Sequence, residues 1–277
     1  MPVTGSPSVT WAEREAFLDG AAAMTPYVAV QIDDELFFVP SADAGVGRRV
    51  FVKGWRSDMS VLERAVARLD EYGLPPAGKT FVDIGANIGT TTVMALRRQG
   101  FAAGVAIEPS PENYRTLRIN LAANGIDAAV QALPVAASDR EGELPFKLGK
   151  ANTGGHRLVG KKPPKNPTLS VEVVTLDGLV ARGVIDPARV GLVWVDAVGH
   201  EANVLGGATT LLEASVPVVT AIKLGWTEGL EALVRILTPH YTHVEELRHV
   251  QTSHPISDFG ALIESFTRST DVLLVRR

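Results

Sequence analysis

The stretch that decides the fold runs from Thr80 to Thr92 and reads Thr-Phe-Val-Asp-Ile-Gly-Ala-Asn-Ile-Gly-Thr-Thr-Thr. Its first residues favour a β-strand, Gly85 and Gly89 interrupt the run, and the segment from Thr92 to Arg98 predicts a helix. A strand, a tight glycine turn and a helix N-terminus form the unit that binds nucleotide-like ligands at the carboxyl end of a parallel strand. The stretch therefore predicts an α/β fold with a ligand site at this turn.

The glycine spacing and two carboxylates indicate which ligand this is. A dinucleotide site needs Gly-x-Gly-x-x-Gly, but counting from Gly85 the second and third glycine positions hold Asn87 and Thr90. The carboxylate of Asp83 would repel a diphosphate, whereas it suits the ammonium and sulfonium charges of S-adenosylmethionine (SAM). Glu108, at the end of the second predicted strand, has the acceptor capacity for both ribose hydroxyls. The pattern predicts a SAM site, and a plain glycine turn that closes a βα unit is the structural alternative.

The composition argues against several classes of protein. The 277 residues carry a formal net charge of −4 and no cysteine, and the pI is about 5.9. Neither a nucleic acid nor an anionic membrane is therefore expected as a partner, and thiolate metal sites and disulfides are excluded. His240 and His243 would point to opposite faces of a strand, so no metal site is expected. Without a visible signal peptide or an apolar run of roughly 18 residues, we expect a cytoplasmic protein.

Residues 1–77 are predicted to form a small α/β cap on a main domain that spans residues 78–277. Apolar periodicity and turn residues predict four elements in this cap. They are a helix over Trp11–Met24 with Phe17, Ala21 and Met24 inward, a hairpin of Tyr27–Ile32 and Glu35–Val39, a short strand over Val50–Lys53 and a helix over Ser57–Tyr72. We expect the cap to close one side of the substrate pocket.

From Lys79 onward, predicted strands and helices alternate, which is typical of a mostly parallel sheet with helices on both faces. After the first two strands, five more are predicted, over Ala128–Ala137, Val193–Asp196, Val218–Ile222, Tyr241–Leu247 and Asp271–Val275. Ser138 closes the third strand at the carboxyl edge of the sheet and is a candidate cofactor-binding residue.

Two further β segments, Glu141–Lys147 and Ser170–Val174, bracket an unusual loop over Leu148–Pro167. Its lysines (Lys150, Lys161, Lys162 and Lys165) are typical of a solvated surface. Its first part, Asn152–His156, contains two glycines beside a histidine. This part is interpreted either as a mobile lid or substrate contact or as an ordinary loop, and the sequence leaves both open.

Four motifs occur in a fixed order: Phe81–Gly89, Glu108-Pro109, Val174-Thr175-Leu176-Asp177 and Asp196-x-x-Gly199-His200-Glu201. In this order the chain resembles the FkbM-type SAM-dependent methyltransferases over roughly residues 78–215. The resemblance implies a Rossmann-like class I methyltransferase fold, with a mostly parallel seven-stranded sheet whose last strand is antiparallel. It also implies O-methylation of hydroxyl groups on sugars or natural products.

The resemblance also implies roles for single residues. The SAM-binding residues would be Asp83, Gly85, Asn87, Gly89 and Glu108, and Asp196 would lie beside the methionine end of SAM. Family members often carry an acid or amide where this chain has Val198, and often an acid near the end of the fifth strand, where it has Ala221-Ile222-Lys223. Both positions are expected near the transfer site.

An alcohol nucleophile benefits from a general base within hydrogen-bond reach. The candidates for this base are Asp196, His156 and His200. Asp196 follows the fourth strand at the edge where ligands bind, His156 lies on the loop that could close over the methyl group, and His200 opens the next helix. The competing role of Asp196 is that of an anion at a helix N-terminus, and the competing role of His200 is capping and packing.

Three hypotheses of function follow. The leading one is a SAM-dependent O-methyltransferase of natural product biosynthesis or sugar modification, whose partner is a small hydroxylated molecule. The second is a methyltransferase-like SAM-binding protein with weak or no turnover, which the residues at positions 198 and 223 motivate. The third is an NAD-dependent dehydrogenase, disfavoured by Asp83 and the missing glycines. The sequence does not fix the oligomeric state, and a homodimer is compatible with it.

Overall fold

The computed structural model of the chain describes residues 9–54, 59–149, 153–158, 169–224 and 227–277. The N-terminal elements are α1 (Trp11–Ala21), β1 (Tyr27–Ile32), β2 (Glu35–Pro40), α2 (Val46–Lys53) and α3 (Met59–Glu71). The predicted hairpin is confirmed, because β1 and β2 pair antiparallel. The helix predicted over Ser57–Tyr72 is confirmed as α3, although Ser57 lies outside the described residues.

Two predictions for the N-terminal part were wrong. In α1, Phe17 is 59% exposed and Met24, beyond the end of the helix, is 80% exposed, while Leu18 and Ala21 are buried. The strand predicted over Val50–Lys53 is the last turn of α2 instead. Val46 and Val50, one helical turn apart, are both buried, so packing against the neighbouring elements outweighs the preference of β-branched residues for strands.

Within the described residues, the main sheet has eight strands. In chain order they are β3 (Thr80–Ile84), β4 (Ala103–Ile107), β5 (Val130–Leu133), β10 (Val190–Val195), β11 (Val218–Ile222), β12 (His243–Glu246), β13 (Ser253–Pro255) and β14 (Thr270–Val275). Their spatial order is β13-β12-β14-β11-β10-β3-β4-β5. The last strand, β14, runs antiparallel to β11 and β12, and the strands from β11 to β5 are parallel. The predicted fold class is confirmed, and the short β13 adds an edge strand to the seven predicted.

A smaller sheet lies beside it. Its strands are β6 (Ala136–Ala137), β7 (Gly142–Lys147), β8 (Arg157–Leu158) and β9 (Leu169–Val174), in the spatial order β6-β9-β7-β8. The single third strand predicted over Ala128–Ala137 was therefore wrong in extent, because β5 ends at Leu133 and β6 pairs with β9. Pro134 stands between them, and without an N–H it interrupts the ladder.

Helices cover both faces of the main sheet. They are α4 (Thr90–Arg98), α5 (Pro111–Ala123), α6 (Leu176–Ala181), α7 (Glu201–Gly206), α8 (Thr209–Glu213), α9 (Thr227–Leu237) and α10 (Phe259–Ser265). One face carries α3, whose Leu62 and Leu69 pack with Phe81 and Leu192. In the described parts of the chain, every helix is too short or too polar to cross a bilayer.

Side-chain amides hold the N-terminal hairpin against α5. The Asn120 amide accepts from Phe38 N (2.7 Å) and donates to Phe38 O (3.1 Å), and Asn124 pairs in the same way with Leu36 N and O. The two amides hydrogen-bond to the backbone N–H and C=O groups at the free edge of β2, as a neighbouring strand would. Phe37 of this strand is fully buried in a cluster that also contains residues of α4 and α5. The domain boundary at residue 77 stays a prediction.

Candidate active site

The glycine turn between β3 and α4 lies at the carboxyl edge of the main sheet. Gly85, Asn87 and Gly89 all have positive φ, at 84°, 51° and 87°. A side chain at Gly85 would overlap the carbonyl oxygen of Asp196, and one at Gly89 would lie 2.6 Å from Leu117 Cδ1. The turn therefore requires glycine at position 85 for two reasons: the backbone has a positive φ there, and the backbone of Asp196, at the end of the neighbouring strand β10, approaches closely.

Glu108 follows β4 and faces this turn. Its Oε2 accepts from Asn87 N (2.9 Å), and its Oε1 accepts from Ser110 N (2.8 Å) and Asn113 Nδ2 (3.5 Å). Burial raises the pKa of Glu108 to about 7, although these hydrogen bonds act in the opposite direction. A carboxylate has about four lone-pair positions, so Glu108 keeps one position for a further donor, and a ligand that displaces the long 3.5 Å bond from Asn113 would gain a second.

Asp83 lies beneath the turn rather than on the cavity wall. It is 1% exposed, and its Oδ2 accepts a hydrogen bond from Thr92 Oγ1 (2.5 Å) in the first turn of α4. Its negative charge acts on the site electrostatically, because it helps to raise the pKa of Glu108. Asp83 is thus a buried fixed charge below the ligand edge of the sheet.

An ion pair connects the ends of β10 and β11. Lys223 Nζ lies 2.7 Å from Asp196 Oδ1. Burial alone would lower the pKa of Lys223, but Asp196, Glu201 and Asp271 outweigh it and the pKa is raised. Lys223 is therefore a cation, and it binds the candidate base Asp196 directly.

The backbone between β10 and α7 is strained. Val198 has φ 34°, a left-handed conformation that is unfavourable for a β-branched residue, and Gly199 follows with φ 79°. Glu201, in the first turn of α7, is 5% exposed, and burial raises its pKa. Among the described residues, no donor reaches Glu201 Oε1.

The two candidate histidines lie in different surroundings. His200 Nε2 lies 2.9 Å from Ser138 Oγ, and burial lowers the pKa of its imidazole. His156 Nδ1 accepts from Gly149 N (2.8 Å), and its ring packs edge-on against Phe146. Burial lowers the pKa of His156 as well. Both rings are therefore mostly neutral near pH 7.

These groups surround one cavity of about 340 Å³, which is in the size range of small-molecule sites. Six of the predicted site residues line it: Gly85, Asn87, Glu108, His156, Asp196 and His200. The other three, Asp83, Gly89 and Ser138, lie behind the wall and support it. The binding and catalytic roles of all nine stay predictions. Asn152, in the predicted lid, and the four loop lysines lie outside the described residues.

Comparison with known proteins identifies the family. The profile of the methyltransferase FkbM domain matches residues 83–264. The chain belongs to the FkbM methyltransferase family. This result confirms the resemblance on which the sequence analysis relied.

Two curated relatives match shorter parts of the chain. Methyltransferase sdnD of Sordaria araneosa is 34% identical over 90 residues, which are 32% of this chain and 35% of the relative. Hexuronic acid methyltransferase AglP of Haloferax volcanii is 27% identical over 143 residues, which are 52% of this chain and 55% of the relative. The matches thus span about a third and about half of these relatives.

Among solved structures, a methyltransferase FkbM from Methylobacillus flagellatus KT is similar with 18% identity and a TM-score of 0.47. The match covers 71% of this chain and 43% of that one.

One family motif supports the site from a distance. Thr175 Oγ1 caps α6 by accepting from Gly178 N (2.9 Å), and the Asp177 carboxylate accepts from Thr209 N (3.0 Å) and Thr210 N (2.8 Å). These bonds hold the start of α8, which continues from the helix that follows Asp196. The motif is therefore structural in this chain.

Several residues of the cavity wall were not predicted from the sequence: Arg49, Asn113, Phe146, Arg157 and Arg248. A signal existed for Asn113, because it occupies the first turn of the helix that directly follows Glu108. No local signal existed for the others, since they reach the cavity from separate elements.

Proposed function

We propose that the chain is a SAM-dependent O-methyltransferase that acts on a hydroxyl group of a small molecule, a sugar or a natural product. The observation that carries the proposal is the buried Glu108 carboxylate, which is oriented by backbone N–H groups on the wall of the cavity. Asp196 lies on the wall of the same cavity. One cavity thus presents a diol acceptor for the cofactor and an acid for the substrate.

The residues present fit the cofactor. Glu108 would accept the two ribose hydroxyls, and the glycine turn would let the ligand approach the backbone closely. Asp83 adds a fixed negative charge, which complements the ammonium and sulfonium groups. When bound, SAM supplies an electrophilic methyl group and leaves as S-adenosylhomocysteine.

Asp196 is the best-placed general base. Lys223 occupies only Oδ1, and within the described residues no donor reaches Oδ2. Oδ2 would accept the hydrogen bond of the acceptor hydroxyl and take its proton as the oxygen bonds to the methyl carbon. Lys223 holds the carboxylate in place and keeps a compensating charge beside it.

Binding and turnover test the proposal in two steps. Calorimetric titration with SAM, S-adenosylhomocysteine and NAD should give binding of the first two and none of NAD. Transfer of tritium from methyl-labelled SAM is then measured with methyl glycosides of glucose, rhamnose and glucuronic acid and with a hydroxylated macrolactone. The uronic acid is included because one relative is named a hexuronic acid methyltransferase.

The outcomes separate the hypotheses. Turnover that falls by about 10²–10⁴-fold in Asp196→Asn, the usual contribution of a general base, supports the proposal. SAM binding without transfer to any acceptor favours the methyltransferase-like binding protein, for which the Lys223–Asp196 pair is the structural reason. Absence of SAM binding overturns the cofactor assignment.

A further inference from the structure

The imidazole of His156 is fixed in one tautomer by the backbone. Gly149 N donates to His156 Nδ1 at 2.8 Å. A backbone N–H can only donate, so Nδ1 must be the unprotonated acceptor. The ring is further restrained by its edge-on contact with Phe146, at 5.9 Å between centroids.

It follows that the second nitrogen carries the proton. A neutral imidazole has one donor and one acceptor, so with Nδ1 accepting, Nε2 is an N–H donor. Burial keeps the ring neutral by lowering its pKa, against the opposing fields of Asp43 and Glu112, and the neighbouring Arg157 also faces the cavity. Within the described parts of the chain, no acceptor receives a hydrogen bond from Nε2 of His156.

We propose that His156 is a positioning residue whose Nε2–H donates to an oxygen of the methyl acceptor, and that it is not the general base. The proposal rests on the proposed function and refines its substrate class. Asp196 accepts from the hydroxyl that is methylated, while His156 donates to a second oxygen. The acceptor is therefore a molecule with at least two oxygens within the cavity, as in a sugar or a polyol.

Long-range ¹H–¹⁵N correlation NMR on the histidine-labelled protein tests the tautomer without any acceptor. His156 is assigned by comparison with His156→Gln. At pH 7.5 we expect a neutral ring with a protonated Nε2 and an unprotonated Nδ1. A Nδ1–H tautomer, or an imidazolium at this pH, overturns the proposal even if methyl transfer is observed.

Three variants test the role in turnover, with the acceptor from the panel above that is methylated fastest. His156→Gln places an amide N–H near the position of Nε2, His156→Asn reaches only the position of Nδ1, and His156→Ala removes both. We expect His156→Asn and His156→Ala to raise the KM for the acceptor about tenfold, which corresponds to one lost hydrogen bond. In His156→Gln the KM should stay close to that of the unaltered protein.

The pH profile distinguishes the two roles. If His156 is a hydrogen-bond donor, the pH at which kcat/KM falls on the acid side is the same in all three variants as in the unaltered protein. If His156 were the base, His156→Gln and His156→Ala would both lose this fall on the acid side and decrease together by about 10²–10⁴-fold in kcat, and the proposal would be wrong. Failure of the proposed function looks different, since it abolishes transfer in the unaltered protein and leaves the tautomer measurable.

Discussion

Lys223 Nζ and Asp196 Oδ1 lie 2.7 Å apart and join the ends of two neighbouring parallel strands at the cavity. The charges around this pair are unequal, because Glu201 and Asp271 also act on Lys223. Asp271 also pairs with Arg248, so Lys223 mainly compensates Asp196 and Glu201. Its loss leaves more uncompensated charge than the loss of Asp196.

We therefore predict that Lys223→Met lowers the free energy of unfolding more than Asp196→Asn does. Since the Lys223 and Asp196 side chains are 29% and 36% exposed, the direct coupling between them should be only about 1 kcal/mol. Urea denaturation of both variants and the double variant measures it as a double-mutant cycle. A larger loss in Asp196→Asn would contradict this account of the charges.

Asp83 is predicted to act on the ligand through its charge. Replacing it with Asn keeps the shape and retains a partner for Thr92 but removes the negative field. The affinity for SAM should fall by about tenfold or more, and it should fall less for S-adenosylhomocysteine, which lacks the sulfonium charge. Calorimetry with both ligands measures the difference.

Thr92→Val is the matched control for Asp83, because it removes the same 2.5 Å hydrogen bond and leaves the carboxylate in place. It should weaken the binding of both ligands equally and only slightly. Equal losses for the two ligands in Asp83→Asn would mean that Asp83 serves the structure of the turn alone.

Glu108 should make ligand binding dependent on pH near neutrality. Its pKa of about 7 in the free protein reflects burial, and two hydroxyl donors would lower that pKa in the complex. Affinity for S-adenosylhomocysteine should then fall by about tenfold for each pH unit below 7. Titrations from pH 5.5 to pH 8 check this against Glu108→Gln, whose affinity should be weak and free of this dependence.

The stability of the free protein should depend on pH in the opposite direction to the affinity for the ligand. Because the pKa of Glu108 is raised above its ordinary value of 4.5, its contribution to the free energy of unfolding is complete below pH 4.5. It is lost as the pH rises through about 7. The thermal stabilisation by the ligand should therefore increase from pH 6 to pH 8. A stabilisation that is independent of pH would contradict a role of Glu108 in the ligand site.

The placement of most of the candidate site could be predicted from the sequence because the site consists of strand ends. Parallel strands meet at their carboxyl edge, so Gly85, Glu108 and Asp196 had to lie together once their strands were recognised. The Lys223–Asp196 pair has the same origin, since β10 and β11 are neighbours. The tautomer of His156 could not be predicted, because it depends on the N–H of Gly149 in a loop with no periodic pattern.

The errors in the fold have a common physical cause. Val50–Lys53 was predicted as a strand from residue preference, and Phe17 was predicted to face inward from spacing alone. In both cases the contacts with distant elements decide the structure. Local conformational preferences of about 1 kcal/mol are smaller than the free energy gained by burying a valine or leucine side chain.

Gly85 should be the least replaceable residue of the turn. Its φ of 84° is unfavourable for any side chain, and a Cβ atom there would also overlap the backbone oxygen of Asp196. Gly100 has a similar φ of 78° but nothing within 4 Å of a built Cβ. Gly100→Ala should therefore cost about 1 kcal/mol for backbone strain alone.

Gly85→Ala should cost at least about 2 kcal/mol more than Gly100→Ala, because β10 has to move away from β3. It should also abolish SAM binding, whereas Gly100→Ala should bind normally. Urea denaturation and calorimetry of the two variants measure both effects. Equal losses of stability would show that the edge of the sheet relaxes freely around the added methyl group. The close approach of Asp196 to Gly85 would then place no requirement on the residue at position 85.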